Sequence, residues 1–215
     1  MKRRDFSLAI ASLGAVSLVS AAHAQDRTFK AGTDYVELKQ RASVDAPADK
    51  VEVIEFFSYN CPHCAEFEGR LEAWVKQLPS YVAFRRVPVA FVGRDAEAKQ
   101  RLYYALAAMG KVDEYQRKVF EAIHQPRGKP MMDDKGVLEW VGRQQGLDAK
   151  AFEEMYRSFS VASETKRATQ LQESYQIAGV PSLGVAGRWY VDGETARGLD
   201  RALQVVTYLV SEARK

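Results

Sequence analysis

Cysteine is almost missing from the 215-residue chain, which contains only Cys61 and Cys64. Two cysteines cannot staple a fold as the disulfide frameworks of small secreted scaffolds do, although they can carry chemistry. Histidine is nearly as scarce, with three residues, and neither sign of charge dominates. With 31 Lys plus Arg against 28 Asp plus Glu the formal net charge is +3, so charge gives no sign of a nucleic-acid partner. Long apolar runs are lacking as well. Beyond the first residues no stretch approaches the roughly 20 consecutive apolar residues that span a bilayer, and a soluble mature protein is expected. What remains is an ordinary globular composition, 47% hydrophobic and 27% charged, neither disordered nor of low complexity. No internal repeat is visible. The length allows one large domain, or a domain carrying an insertion, with interior enough for a hydrophobic core.

One apolar run, Leu8 to Val19, follows a basic start of Lys2, Arg3 and Arg4 and precedes Ala22-His23-Ala24. It is too short for a membrane anchor and reads as a secretory signal peptide over residues 1–24, cleaved after Ala24. The alternative is a buried N-terminal helix. Arg3-Arg4-Asp5-Phe6-Ser7-Leu8 also resembles a twin-arginine export signal, and either export route leads out of the cytoplasm. Losing three positive charges together with Asp5 lowers the net charge from +3 to about +1.

Hydrophobic periodicity orders the rest. Tyr35–Leu38 is a short strand candidate, and Val51–Tyr59, β-branched, aromatic and mostly apolar, reads as a strand buried on both faces. Phe67, Leu71, Trp74, Val75 and Leu78 then mark one helix face, with Pro62 suited to the first turn and Pro79 as its stop. Val82–Val89 is a third strand candidate, weakened by Pro88. From about Gly93 to Tyr175 helix follows helix. Leu102, Ala105, Leu106 and Met109 form one face closed by Gly110; Tyr115, Val119 and Ile123 form the next. After a Pro/Gly loop at 125–130, Leu138 and Val141 mark a third helix ending near Gly146. Asp148 caps a fourth with Phe152, Met155, Tyr156 and Phe159 inward, and a fifth runs from about Val161 to Tyr175. Pro181–Ala186 and Arg188–Val191 are strands joined at Gly187, and Asp200 caps a final helix carrying Leu203, Val206, Leu209 and Val210. The order reads as one α/β, sheet-based domain with an all-helical insertion.

Cys61 and Cys64 sit three apart where the buried strand turns into a helix. A disulfide there closes a very small loop and gains little as a staple. The position favours reactivity instead, because the N–H groups and positive dipole at a helix start stabilise an anion at Cys61. Cys64, one turn further in, is expected to stay protonated and less exposed, while His63 as a cation or N–H donor further favours the Cys61 thiolate. Each pKa unit below ambient pH favours the reduced form by ~1.4 kcal/mol, which makes the disulfide ~30 mV more oxidising. Such a pair tends to give its disulfide away.

Other chemistries use the same spacing. Zinc needs two further ligands, and the mature chain has no other cysteine and only His63 and His124. A c-type haem needs His directly after the second Cys, where Ala65 stands. A purely structural disulfide stays open.

The run Phe56-Phe57-Ser58-Tyr59-Asn60-Cys61-Pro62-His63-Cys64, followed by the helical block and by Gly179-Val180-Pro181-Ser182, resembles the DsbA family of periplasmic thiol:disulfide oxidases over essentially the whole mature chain. The resemblance implies a thioredoxin fold with an inserted all-helical domain: a thioredoxin-like part at 25–92 and 176–215, and a helical part at 93–175. Cys-Pro-His-Cys is the variant associated with the family's oxidants rather than with reductases. Depressed thiol pKa and an oxidising couple are likewise implied. Cys61 matches the nucleophilic cysteine and Cys64 its buried partner, with Pro62 and His63 tuning the thiolate. Pro181 matches a cis-proline, and Val180 would present backbone to an extended substrate, whereas Val-Pro read from residues alone is equally a trans edge pair. Glu55 matches an acid buried beneath the disulfide; read alone it is an edge carboxylate. A buried Glu55 needs a partner, for which Arg85 or Arg86 is available where the family tends to have Lys. Glu68 reads as a further nearby acid or, as the preferred reading, a solvated helix residue; the aromatic and Met positions of the helical block and Trp189 and Tyr190 read as packing, and His124 carries no assigned role.

Implied further are a periplasmic monomer without metal or cofactor, unfolded cysteine-containing exported substrates, and reoxidation by a DsbB-type, quinone-linked membrane oxidase. A thioredoxin-fold reductase or isomerase and a non-catalytic peptide-binding chaperone are the alternatives.

Overall fold

The structure, a computed structural model, describes residues 28–124, 131 and 133–215. The expected signal peptide at 1–24 and the Pro/Gly loop expected at 125–130 lie outside the described residues.

The sheet grows from β2 (Val51–Phe57), every residue of which is buried. This is the continuous apolar run expected of a strand covered on both faces. β3 (Val82–Pro88) runs parallel to it, with Glu55 opposite Arg86. The crossover between them is α1 (Pro62–Val75). On the other side β4 (Ser182–Val185) pairs antiparallel with β2 and β5 (Trp189–Asp192) with β4. β1 shrinks from the expected four residues to Val36–Glu37 at the edge beyond β5. Pro88 closes β3 without breaking it, because Val89 N takes over the ladder, donating to Phe57 O at 2.8 Å.

Among the described residues five helices lie between β3 and β4: α2 (Ala96–Ala108), α3 (Val112–His124), α4 (Asp134–Val141), α5 (Ala149–Tyr156) and α6 (Phe159–Ser174). Asp148 caps α5, accepting from Lys150 N and Ala151 N. The next cap corrects the sequence reading. Ser158 accepts from Val161 N and starts α6 at Phe159, so Phe159 belongs to a new helix rather than to the inward face of α5. It is 89% exposed. A second correction concerns α7 (Leu199–Glu212), whose N-cap is Gly198 rather than Asp200. The backbone there has φ +131°, which glycine alone adopts readily. Asp200 stands in the first turn, where its charge suits the helix dipole, and pairs with Arg70 at 3.1 Å.

Alternation along β2 divides the core. Val51 and Val53 pack with Phe67 and Leu71 of α1 and Val206 and Leu209 of α7. Ile54 and Phe56 pack against Leu171 and Tyr175 on the opposite face. A third core unites α2–α5 through Leu102, Leu106, Val119 and Phe152, and the end of β2 is part of it: Phe57, Tyr59, Cys61 and Cys64 belong to the same cluster. The helices between β3 and β4 therefore pack directly against the Cys-x-x-Cys segment.

Candidate active site

Cys61 is the N-cap of α1 and Pro62 its first residue, where the missing proline N–H costs nothing. Ser58 and Cys61 close a turn, Cys61 N donating to Ser58 O at 3.0 Å. The two thiols are free and unequal. Cys61 is 7% exposed and Cys64 fully buried. The Cys64 thiol, by its hydrogen bond to the Cys61 sulfur, is the main cause drawing the Cys61 pKa down to about 6. Burial opposes this, and the backbone N–H groups of Cys64 and His63 and the His63 charge add to it. Burial, reinforced by the same sulfur–sulfur hydrogen bond, pushes Cys64 far up. The His63 side chain is 74% exposed and lies 3.5 Å from Glu66. It acts on Cys61 through its backbone N–H and through the charge of its ring.

The Val180–Pro181 peptide bond is cis, and the Cys61 thiol donates to Val180 O at 3.4 Å. A groove of about 450 Å³ runs beside it, lined among others by His63, Gly179, Val180, Pro181 and Leu199. Residues 119 positions apart are thus brought together.

Beneath the sulfurs lies a charged interior. Glu55 is completely buried and takes Arg86, not Arg85: Arg86 Nε donates to Glu55 Oε2 at 3.0 Å. Arg85, on the other face, holds Glu52 at 3.0 Å. Glu68 does not sit on a solvated face. It is buried, and Arg86 Nη2 donates to its Oε1 at 2.6 Å. One guanidinium thus serves two carboxylates. Burial raises the Glu55 pKa to about 8 against the pull of Arg86, with Glu68 adding to the rise. Glu68 is raised by burial too. Among the described residues Glu55 Oε1 has no hydrogen-bond partner.

Three participants had no role in the sequence reading. Gln116 on α3 bridges Tyr59 and Glu68, accepting from Tyr59 OH at 2.6 Å and donating to Glu68 Oε2 at 3.4 Å. His124 Nε2 lies 2.8 Å from Tyr59 O. Asn60 is bound to residues of the β3–α2 loop and α2. Glu68, four residues after Cys64 and three before Leu71, shares their inward helix face, a signal that the solvated reading passes over.

The sequence model of the DSBA-like thioredoxin domain matches residues 52–209. The chain belongs to this family. It is 36% identical over 212 residues to the thiol:disulfide interchange protein DsbA of Burkholderia cepacia, covering 99% of this chain and 98% of that one. Against the protein of the same name from Bordetella pertussis the identity is 39% over 210 residues, covering 97% and 96%. The crystal structure of Pseudomonas aeruginosa DsbA superposes with a TM-score of 0.80 at 33% identity, covering 86% of this chain and 95% of that one. The fold is thus that of DsbA-family thiol:disulfide oxidoreductases, a thioredoxin fold with inserted helices, and the chain is an enzyme of that class. Among the described residues no helix is long and apolar enough to cross a membrane.

Proposed function

We propose that the protein is a periplasmic dithiol oxidase that donates a Cys61–Cys64 disulfide to newly exported proteins. The observation that carries this is the asymmetry of the pair: Cys61 is drawn down to about 6 at the head of α1, while Cys64 is buried and pushed up. A thiolate stable at neutral pH is a good leaving group, and its disulfide is correspondingly oxidising.

A substrate thiolate attacks Cys61 Sγ, the accessible sulfur, and the Cys61–Cys64 bond breaks with its electron pair on Cys64. Cys64, with its raised pKa, takes up a proton; Glu55, neutral below about pH 8, stands below it as a proton source. The substrate's second thiolate then attacks its own sulfur in the mixed disulfide and expels the Cys61 thiolate. The substrate loses two electrons and gains a disulfide; the enzyme ends as the dithiol. Val180 and Pro181 bind extended substrate backbone, Pro62 and His63 supply the adjoining surface, and Pro62, His63 and Glu55 tune the thiolate.

The functional units are taken as residues 25–92 with 176–215, and 93–175, after cleavage of residues 1–24. The mature protein is a periplasmic monomer that takes unfolded cysteine-containing chains as substrates. Its dithiol is reoxidised by a DsbB-type, quinone-linked membrane oxidase. Equilibration of the purified protein with glutathione redox buffers tests the direction of the chemistry. A couple far more oxidising than thioredoxin's is expected; one as reducing as thioredoxin's would move the protein to the reductases.

A further inference from the structure

Asn60 stands directly before Cys61, at the corner of the Ser58–Cys61 turn. Its carboxamide is fully engaged. Nδ2 donates to Val92 O at 2.8 Å and to Asp95 Oδ1 at 2.9 Å, and Oδ1 accepts from Lys99 Nζ. Lys99 Nζ also pairs with Asp95 Oδ2, so the three side chains form a closed ring.

Much around this ring is arranged to hold it. Lys99 is only 2% exposed, a burial that lysine rarely accepts without a partner. Asp95 is the N-cap residue of α2 yet makes no side-chain cap; its carboxylate turns to the ring instead. Burial works against that charge, but Lys99 and Asn60 hold the Asp95 pKa below the ordinary carboxylate range. Gly93 has φ +87°, and a Cβ there would come within 2.5 Å of Asn60 Nδ2 and 2.8 Å of Asp95 Oδ1. A buried ion pair contributes little net stability compared with apolar packing, so the ring is better explained by the geometry it imposes. The preceding residue, Tyr59, is fixed independently by Gln116 and His124. Asn60 is therefore the remaining joint between the strand and the head of α1.

We propose that Asn60, clamped by Asp95 and Lys99, is a positioning residue for Cys61, holding the turn so that the sulfur stays in register with the first-turn N–H groups of α1 and with Val180. The proposal rests on Cys61 being the attacked sulfur. Placement matters because the field at a helix start falls off within its first turn. The groups facing Cys61, namely Cys64 and His63 on α1 and Glu55 on β2, are untouched by changes to the ring.

The test is the pH dependence of iodoacetamide modification of the reduced full-length protein, read at Cys61 by mass spectrometry, with urea denaturation measured in parallel. Asn60→Ala leaves the Asp95–Lys99 pair intact and should fold. Its modification midpoint should rise by about half a pH unit or more, a roughly threefold loss of rate below the midpoint. The charge-neutral double variant Asp95→Asn/Lys99→Met should shift it in the same direction. A lowered urea midpoint with an unchanged modification midpoint in both variants overturns the proposal, because the ring would then be structural only. A parent protein that titrates like an ordinary thiol would instead overturn the oxidase reading itself.

Discussion

The Cys61 thiol lies 3.4 Å from the carbonyl oxygen of Val180, across the cis peptide to Pro181. The Cys61 sulfur thus lies beside backbone that lines the groove at Val180 and Pro181. In the proposed function, a peptide laid along Val180 in extended form would present its own cysteine to Cys61 and not to Cys64, which is fully buried.

That geometry predicts which single-cysteine variant can be trapped. With Cys64→Ala, Cys61 should attack glutathione disulfide and keep the glutathionyl group, since no second thiol is left to resolve the bond. With Cys61→Ala, the remaining sulfur is buried and its pKa is far above neutral, so little adduct should form at pH 7. Intact-mass spectrometry at equal times reads both. Equal labelling of the two variants would contradict the division of roles between the cysteines.

The pKa shifts predict how stability follows pH. The Cys61 pKa falls from 9.0 in the unfolded chain to about 6 when folded, so between these values the unfolded state binds more protons and stability rises with pH. Its contribution is complete above about 9 and lost as pH falls through about 6. Glu55 acts oppositely, rising from 4.5 to about 8, so its contribution is lost as pH rises towards 8. Glu55 titrates in both redox forms and Cys61 only in the dithiol, so the difference between the two forms is dominated by the sulfur. Urea denaturation of the reduced and oxidised proteins should show the reduced form gaining on the oxidised one from about pH 6 upward. The slope can approach about 1.4 kcal/mol per pH unit. Parallel curves would mean that Cys61 is an ordinary thiol.

Periodicity and punctuation made the strand-to-helix junction readable: an apolar run, two cysteines, a proline fit for the first turn, then a helical stripe. The buried charges were harder to read. Glu55 inside β2 pointed to an arginine, but two neighbours were available, and only the parallel register, which sets Glu55 opposite Arg86, chooses between them. Glu68 reads as surface because charged helix positions usually are; burial comes from Arg86 and Gln116, which are remote in sequence. Asp95 and Lys99 likewise have the i, i+4 spacing of an exposed helix pair, and only the packed Asn60 turn draws them inward. Phe159 misleads in the other direction, since a serine cap one residue earlier rotates it out to solvent.

Arg86 is the residue whose loss should be felt most. It holds Glu55 at 3.0 Å and Glu68 at 2.6 Å, and among the described residues neither carboxylate has another cation that close. Replacing it by Met keeps the apolar stem but leaves two acids facing each other in the interior, the situation that typically costs about 3–5 kcal/mol. Part of that cost is relieved if both acids take up protons, so the loss should grow with pH between 5 and 8. Arg86→Lys keeps the charge but replaces a planar fork able to serve two carboxylates with a single ammonium, and should cost less than Arg86→Met. Urea denaturation of the reduced protein at pH 5 and pH 8 measures both effects. A loss below about 1 kcal/mol for Arg86→Met at pH 8 would show that both carboxylates are neutral there, and that Arg86 is not what holds the charge beneath the sulfurs.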